Sequence, residues 1–352
     1  MDKAYIVLEN GQVFEGEAFG ARGETVGELV FTTSVVGYVE TLTDPCYYGQ
    51  IVLHTFPSLG NYGWIEEDMC DSASALRGVV LREGCDAPSN FRSGETLEDY
   101  LKSAGIVGIK SVDTRAITQI IRDAGVMNAM ITTEKPEGVP AALRAYRVEK
   151  AVEATSVKAI ECLAPEGEAR NHVALLDYGA GKPLAQALLA RGCRVTCLPY
   201  GTSAEAVLAL APDGIALSGG PGDPADNAAC IAEIRAMLGK KPIFAVGLGH
   251  QMLALAAGGR TEKLPYGHRG ANQPVRDVES GRVYITEQNH GYAVCAENAE
   301  AFGARVRYQN LNDGSCEGLD YPALRAFSLQ FSPDSLPSGS YDRFLAMMGG
   351  EN

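Results

Sequence analysis

No unbroken apolar run of about 18 residues occurs in this chain, so no segment is expected to cross a membrane as a helix. Basic charge is scarce: 30 Lys and Arg stand against 44 Asp and Glu, a net charge of −14, and no Lys/Arg cluster offsets it. Such a surface repels phosphate backbones, which argues against nucleic acid as a partner. Nothing at the start reads as a secretory leader, because Met1-Asp2-Lys3 runs straight into the strand-like stretch Ala4 to Leu8. The nine cysteines lack paired metal-type spacing. Cys193 and Cys197 come nearest, and they flank Arg194-Val195-Thr196 in what reads as a buried strand. No metal is expected on the chain, and free thiols in a reducing cytoplasm are the expected state. Internal repeats and low-complexity segments are also absent.

What is present suits a globular protein: 46% hydrophobic and 21% charged residues over 352 positions, enough for roughly two domains of about 150 residues each. The first 130 or so residues read as strand-rich. Asn10-Gly11 between Ile6-Val7-Leu8 and Val13-Phe14 signals a tight hairpin, and Leu76 to Leu81 a strand. Leu97, Leu101 and Ala104 share one helical face that Gly105 ends. Asp113 can cap a second helix whose stripe is Ile117, Ile120, Ile121 and Ala124, with Gly125 as its stop. A stretch rich in Glu, Ala and Pro follows, with a helix expected around Ala141 to Ala154. The domain boundary is placed in this stretch, giving a first domain over 1–165 and a second over 170–352.

After Arg170 short apolar strands alternate with helical segments: Val173 to Leu176, Val195 to Leu198, Gly214 to Leu217 and Ile243 to Val246 are the strands. That alternation argues for an α/β fold with a doubly wound parallel sheet covered on both faces. Ligands of such sheets sit beyond the carboxyl ends of the strands. Two turns lie there. Ser218-Gly219-Gly220-Pro221-Gly222-Asp223-Pro224 is a rigid loop whose backbone N–H groups can approach a ligand, although composition alone is equally consistent with a plain tight turn. Ala245-Val246-Gly247-Leu248-Gly249 is a strand turning sharply into a helix, the layout of a nucleophile elbow. A helix N-terminus there would favour a thiolate, yet the central residue is Gly247, which has nothing to attack with.

These two loops in this order resemble the class I, triad-type glutamine amidotransferases. The chain as a whole, from about residue 4 to residue 348, resembles the small subunits of carbamoyl-phosphate synthetases. In the first half the likeness rests on Thr33-Ser34-Val35-Val36-Gly37-Tyr38, Thr43-Asp44-Pro45, Gly60-Asn61-Tyr62-Gly63 and Gly108-Ile109 through Asp113-Thr114-Arg115. In the second half it rests on Leu217 through Pro224, Gly249-His250-Gln251, Gly267-His268-Arg269-Gly270 and Gln288-Asn289-His290-Gly291-Tyr292. The resemblance implies a β-rich small-subunit domain followed by an amidotransferase-like domain.

It also implies roles. A cysteine at the position of Gly247 would attack the glutamine amide, a histidine at Ser332 would shuttle the proton, and a glutamate at Asp334 would orient it. Backbone N–H groups of Gly220 and Leu248 would bind the oxyanion. Cys46, Gly222, Gln251, Asn289, Gly291 and Tyr292 would line the glutamine pocket. The ammonia would pass to a large subunit that uses ATP, a divalent cation and bicarbonate, with no cofactor on this chain.

The sequence departs from that pattern at all three triad positions, and no histidine follows His290. The expectation is a small subunit that supports its large subunit without hydrolysing glutamine. The alternative is a regulatory module that binds glutamine or a related amino acid. A relocated nucleophile would have to be Cys46 or Cys295, neither of which sits on an elbow. His250 and His290 read as satisfied hydrogen-bond partners, and His268 as structural or at a loop surface.

Overall fold

The computed structural model describes residues 2–336 and 339–349, and these divide into two compact units that meet in sequence between Glu149 and Lys150. Composition had put the boundary at 165–170. The difference has a simple cause: Val152 packs into the core of the second unit, Ser156 and Val157 bond to Tyr200 and Asp177, and the strand Glu161–Leu163 pairs antiparallel with a strand there.

The first unit is a closed barrel. Its strands are β1 (Lys3–Leu8), β2 (Val13–Gly20), β3 (Thr25–Thr32), β4 (Gln50–His54), β6 (Gly78–Val80), β8 (Val107–Lys110) and β9 (Met127–Thr132). Two short strands, β5 (Ser58–Leu59) and β7 (Glu83–Gly84), pair separately. The barrel closes in the order β1-β2-β8-β6-β4-β3-β9. Strands β3, β4, β6 and β8 pair parallel to one another, and their two faces enter two different cores. Leu29, Ile51, Leu53 and Val80 lie in one, and Val30, Val52 and Val79 in the other. Burial on both sides explains why these strands read as unbroken apolar runs.

Both helices expected in this unit form as their caps dictate. Thr96 Oγ1 accepts from the Asp99 amide at the head of Leu97–Ser103, and Asp113 Oδ1 accepts from Ala116 at the head of Thr114–Ala124. The single helix expected around Ala141 to Ala154 does not form. Two short helices, Ala141–Ala145 and Ala151–Thr155, stand there instead. They are separated by extended Tyr146 and by Lys150 at φ 51°, a left-handed conformation that no helix interior tolerates.

The second unit is one ten-stranded sheet: β10 (Glu161–Leu163), β11 (Asn171–Asp177), β12 (Cys193–Pro199), β13 (Gly214–Leu217), β14 (Ile243–Val246), β15 (Arg260–Asp277), β16 (Val283–Cys295), β17 (Arg305–Asn310), β18 (Cys316–Tyr321) and β19 (Ala326–Leu329). The order is β10-β12-β11-β13-β14-β19-β18-β16-β15-β17. From β12 to β19 the pairing is parallel, and beyond β19 it is antiparallel. One apolar cluster, with Leu176, Leu217, Leu248 and Leu253, covers one face of the parallel strands. A second, with Val173, Leu175, Phe244, Phe327 and Phe344, covers the other. This is the doubly wound arrangement, with Cys193 and Cys197 buried in β12 as expected. No helix among the described residues is long and apolar enough to cross a membrane.

Candidate functional site

Strand β13 ends at Leu217, and the loop after it is fixed by a buried carboxylate at the end of the neighbouring strand. Asp177 Oδ1 accepts from the Gly179 and Gly181 amides (3.0 and 2.9 Å) and lies 3.3 Å from Ser218 Oγ, while Oδ2 accepts from Val157 N (2.8 Å). Ser218 Oγ in turn accepts from the Tyr178 amide at 2.8 Å, and the Ala180 amide donates to Gly219 O at 3.0 Å. The loop Ser218 to Pro224 is thus clamped against the loop after β11. Ser218 is named from the sequence only as the first residue of its loop, and Asp177 not at all, its one signal there being its place at the end of an apolar strand.

The close fit explains the glycines. A Cβ on Gly220 would lie 2.1 Å from the Tyr178 carbonyl oxygen, and one on Gly249 would lie 2.6 Å from that of Leu217. Gly222 has φ 91°, and Asp223 caps the turn that follows by accepting from Ala225 N at 2.8 Å.

The elbow is present in full. Strand β14 ends at Val246, Gly247 takes φ 56° and ψ −115°, and the helix Leu248–Ala257 begins at once. That backbone conformation is strained for any residue with a side chain. It is held by the Gly247 amide, which donates to Leu329 O at 2.8 Å. The amides of Gly220 and Leu248 donate to no backbone or side-chain acceptor among the described residues.

Of the expected pocket residues, Gln251, Asn289, Gly291 and Tyr292 are all in this unit. Gln251 Nε2 donates to Tyr292 O (2.8 Å) and to Gln330 Oε1 (2.9 Å), tying the elbow helix to β16 and to the end of β19. Cys46 lies in the first unit, half-buried on the turn Pro45–Tyr47, where its amide donates to Asp44 Oδ1 at 2.9 Å.

Ser332 sits three residues beyond β19, the strand paired in parallel with β14, so it lies past the same carboxyl ends as Gly247. Its amide donates to Glu287 O at 3.0 Å. Asp334 is exposed and its carboxylate faces Tyr341, whose phenol is pushed up first by burial and then by that charge. These positions thus hold a hydroxyl and an exposed carboxylate where the resemblance implies an imidazole and its orienting glutamate. His250, in the first turn of the elbow helix, is fully buried with Nδ1 2.7 Å from Ser328 Oγ, and burial pushes its pKa down to about 3. Cys295 lies at the end of β16, away from any helix N-terminus, and burial with Glu262 beside it pushes its thiol up.

Of the two places expected for His268, structural or at a loop surface, the structure shows the first. His268 is 6% exposed within β15, rather than at a loop surface, and is paired in register with His290 on β16. The bulges between Lys263 and His268 and between Gly270 and Gln273 let the strand absorb the Pro and Gly residues that make this stretch look like a loop. Nε2 of His268 lies 2.9 Å from Asp313 Oδ2, and Nδ1 3.2 Å from Glu317 Oε1. Burial lowers its pKa, but the hydrogen bonds to Asp313 and Glu317 outweigh burial and hold it up to about 9.

The chain matches two protein-family profiles: the one described as the carbamoyl-phosphate synthase small chain, CPSase domain, over residues 6–131, and the class-I glutamine amidotransferase over residues 174–348. It is 42% identical to the carbamoyl phosphate synthase small chain of Listeria monocytogenes serotype 4b over all of its own length and 98% of the relative. It is 44% identical to that of Clostridium perfringens over 95% of each. Among solved structures, the glutaminase domain of a Trypanosoma brucei CTPS with bound acivicin aligns with 52% of this chain and 95% of its own, at 18% identity and a TM-score of 0.40.

Proposed function

Because this chain belongs to the carbamoyl phosphate synthase small-chain family, we propose that it serves a synthase large subunit without hydrolysing glutamine itself. The large subunit would make carbamoyl phosphate from ATP, bicarbonate and ammonia, with the ATP and its divalent cation bound there. The observation that carries this reading is Gly247: a complete elbow, its backbone strained into place, with no atom at its tip to form a thioester. The base position holds Ser332 and the orienting position an exposed Asp334, so the proton has no carrier either.

Losses within such a unit are not additive, because removing one member already disables the rest. An oxyanion hole and a pocket without the unit retain about 10³-fold over water in stripped triads, far below a working turnover.

A second reading, a glutamine-binding regulatory module in the cytoplasm, is supported by the undonated amides of Gly220 and Leu248 and the intact Gln251–Tyr292 link. The experiment is carbamoyl-phosphate synthesis by this chain with its cognate large subunit, comparing ammonium with glutamine. Synthesis from ammonium alone is expected. Equal synthesis from glutamine would overturn the proposal. Stabilisation of the isolated chain by millimolar glutamine without its consumption would favour the binding module.

A further inference from the structure

The side chains of His268, His290 and Glu317 converge in the interior of the second unit, on three strands of the antiparallel half of its sheet. His268 and His290 are register partners on β15 and β16, which puts both rings on the same face, edge to face with centroids 4.9 Å apart. Glu317, on β18, is fully buried beneath them. One ligand-type atom from each of the three lies within 4.8 Å of the others.

Around His290 and Glu317 the lone pairs outnumber the protons. His290 Nδ1 faces the Tyr292 carbonyl at 2.8 Å, so that nitrogen carries the ring's proton. Its Nε2 then turns a lone pair toward Gln288 Oε1 at 2.9 Å and Glu317 Oε2 at 3.9 Å. The Gln288 amide cannot turn to donate instead. Its Nε2 is taken by Thr286 Oγ1 at 3.0 Å, and that hydroxyl is itself spent on the Gln273 carbonyl at 3.0 Å. Glu317 Oε2 has no hydrogen-bond partner among the described residues, a costly state for a fully buried carboxylate oxygen.

We propose that His268 Nδ1, His290 Nε2 and Glu317 bind one zinc-type divalent cation, the proton that His268 Nδ1 shares with Glu317 leaving to solvent as the metal takes its place. Two imidazoles and one glutamate make a donor set that zinc accepts, and Gln288 Oε1 or a water would complete four-coordination. Ligand atoms around tetrahedral zinc stand about 3.4 Å apart. The pair His268 Nδ1 and Glu317 Oε1, at 3.2 Å, already meets that spacing, and His290 Nε2 to Glu317 Oε2, at 3.9 Å, needs half an ångström of closure.

The outer partners are those that metal-binding histidines use. The far nitrogen of His268 meets Asp313 at 2.9 Å, that of His290 meets a backbone carbonyl, and Glu317 Oε1 accepts from Asn310 Nδ2 at 3.0 Å. The ion's role is structural. It pins the long β15–β16 ribbon that carries Asn289, Gly291 and Tyr292, and it does so whether or not the chain hydrolyses glutamine.

The test is metal analysis of the full chain purified under reducing conditions, loaded with zinc and then dialysed. About one zinc per chain is expected, together with a rise of several degrees in Tm over chelator-treated protein. E317Q, checked for native folding by circular dichroism, should lose at least about nine-tenths of that zinc, and D313N should weaken binding about 10- to 100-fold. Cobalt substitution should give ligand-field bands without a thiolate charge-transfer band. Absence of bound zinc and of any Tm shift in the native chain would overturn the proposal, leaving the cluster as an ion pair of protonated histidine with Glu317. Undiminished zinc in E317Q, or a thiolate charge-transfer band that places the metal on cysteines, would overturn it as well. If E317Q fails to fold, D313N and the cobalt spectrum of the native chain decide the matter.

Discussion

The Gly247 amide donates to the Leu329 carbonyl at 2.8 Å, across adjacent parallel strands, and this bond holds the elbow open toward Gly219. A Cβ built on Gly247 would meet only the Cα of Gly219, at 3.3 Å, among atoms within 4 Å outside its immediate chain neighbours. The bare Cα at Gly219 is therefore what leaves room for a side chain at the tip of the elbow. The backbone keeps a seat for a side chain there, and Gly247 leaves that seat empty of one.

A cysteine at that seat should be accommodated and exposed but catalytically idle. G247C is expected to cost about 1–3 kcal/mol of stability, because it places a side chain at φ 56°. Its thiol should alkylate with iodoacetamide faster than any of the nine resident cysteines, since the helix N-terminus favours thiolate. Glutamine turnover should stay near the native level until a base is added, and G247C/S332H should exceed G247C by about 10²-fold or more. Peptide mass mapping reads the first expectation and ammonia release the second. Equal turnover by the single and double variants would mean that a base exists elsewhere.

The glycines of the two loops make a graded prediction. G220A drives a Cβ to 2.1 Å from the Tyr178 oxygen and G249A to 2.6 Å from the Leu217 oxygen, and both neighbours are backbone atoms that cannot swing aside. Each should lose about 1–3 kcal/mol or more in urea unfolding. G219A, whose Cβ would make an ordinary 3.6 Å contact with the Ala180 side chain, should lose markedly less. A G219A loss as large as that of G220A would contradict the packing account.

Much of this site could be read from sequence because its parts are local. The strand, the sharp turn and the helix around Gly247 are contiguous, and the turn residues of Ser218 to Pro224 declare themselves. The clamp on that loop could not be read, since Asp177 and Ser218 are 41 residues apart and Asp177 binds mainly backbone amides, which leave no mark in a sequence. The β15–β16 ribbon escaped for a different reason. Pro265, Gly267 and Gly270 suggest a loop, yet two bulges hold them within a strand of 18 residues, and that strand buries His268. Tyr146 and Lys150 show a third way to miss: an extended residue ends one short helix and a left-handed one precedes the next, within a stretch whose composition reads as a single helix.

Asp177 gives a direct test of the clamp. D177N keeps the shape but, in either orientation, turns an NH₂ toward amide donors that need an acceptor. The mismatch should cost about 1–3 kcal/mol and loosen the loop that carries Gly220 and Gly222. Hydrogen exchange should speed up at Gly179, Gly181 and Val157 before it does at the core of β11. Unchanged exchange at all three amides would show that the carboxylate is not what holds them.

His54 and His250 are among the buried histidines that should set an acid limit on stability. His54 in the first unit and His250 in the second are fully buried, and burial pushes their pKa values down to about 4 and about 3, from 6.5 in a solvated ring. Nε2 of each ring lacks a hydrogen-bond partner among the described residues, so nothing compensates a proton placed there. Below about pH 6.5 the unfolded chain takes up protons at these rings and the folded chain does not, so stability falls as pH drops. The loss from His54 continues to about pH 4 and that from His250 to about pH 3, each worth roughly 3–5 kcal/mol when complete. Tm should therefore decline between about pH 6.5 and about pH 4.5, within the range where maximal stability would otherwise lie. H250N, in which the amide takes the place of Nδ1 beside Ser328 Oγ, should be less stable than the native chain near neutrality but show a shallower decline. Carboxylates titrate alike in both proteins, so the difference in slope isolates the histidine. Identical slopes would mean that the acid limit lies with other groups.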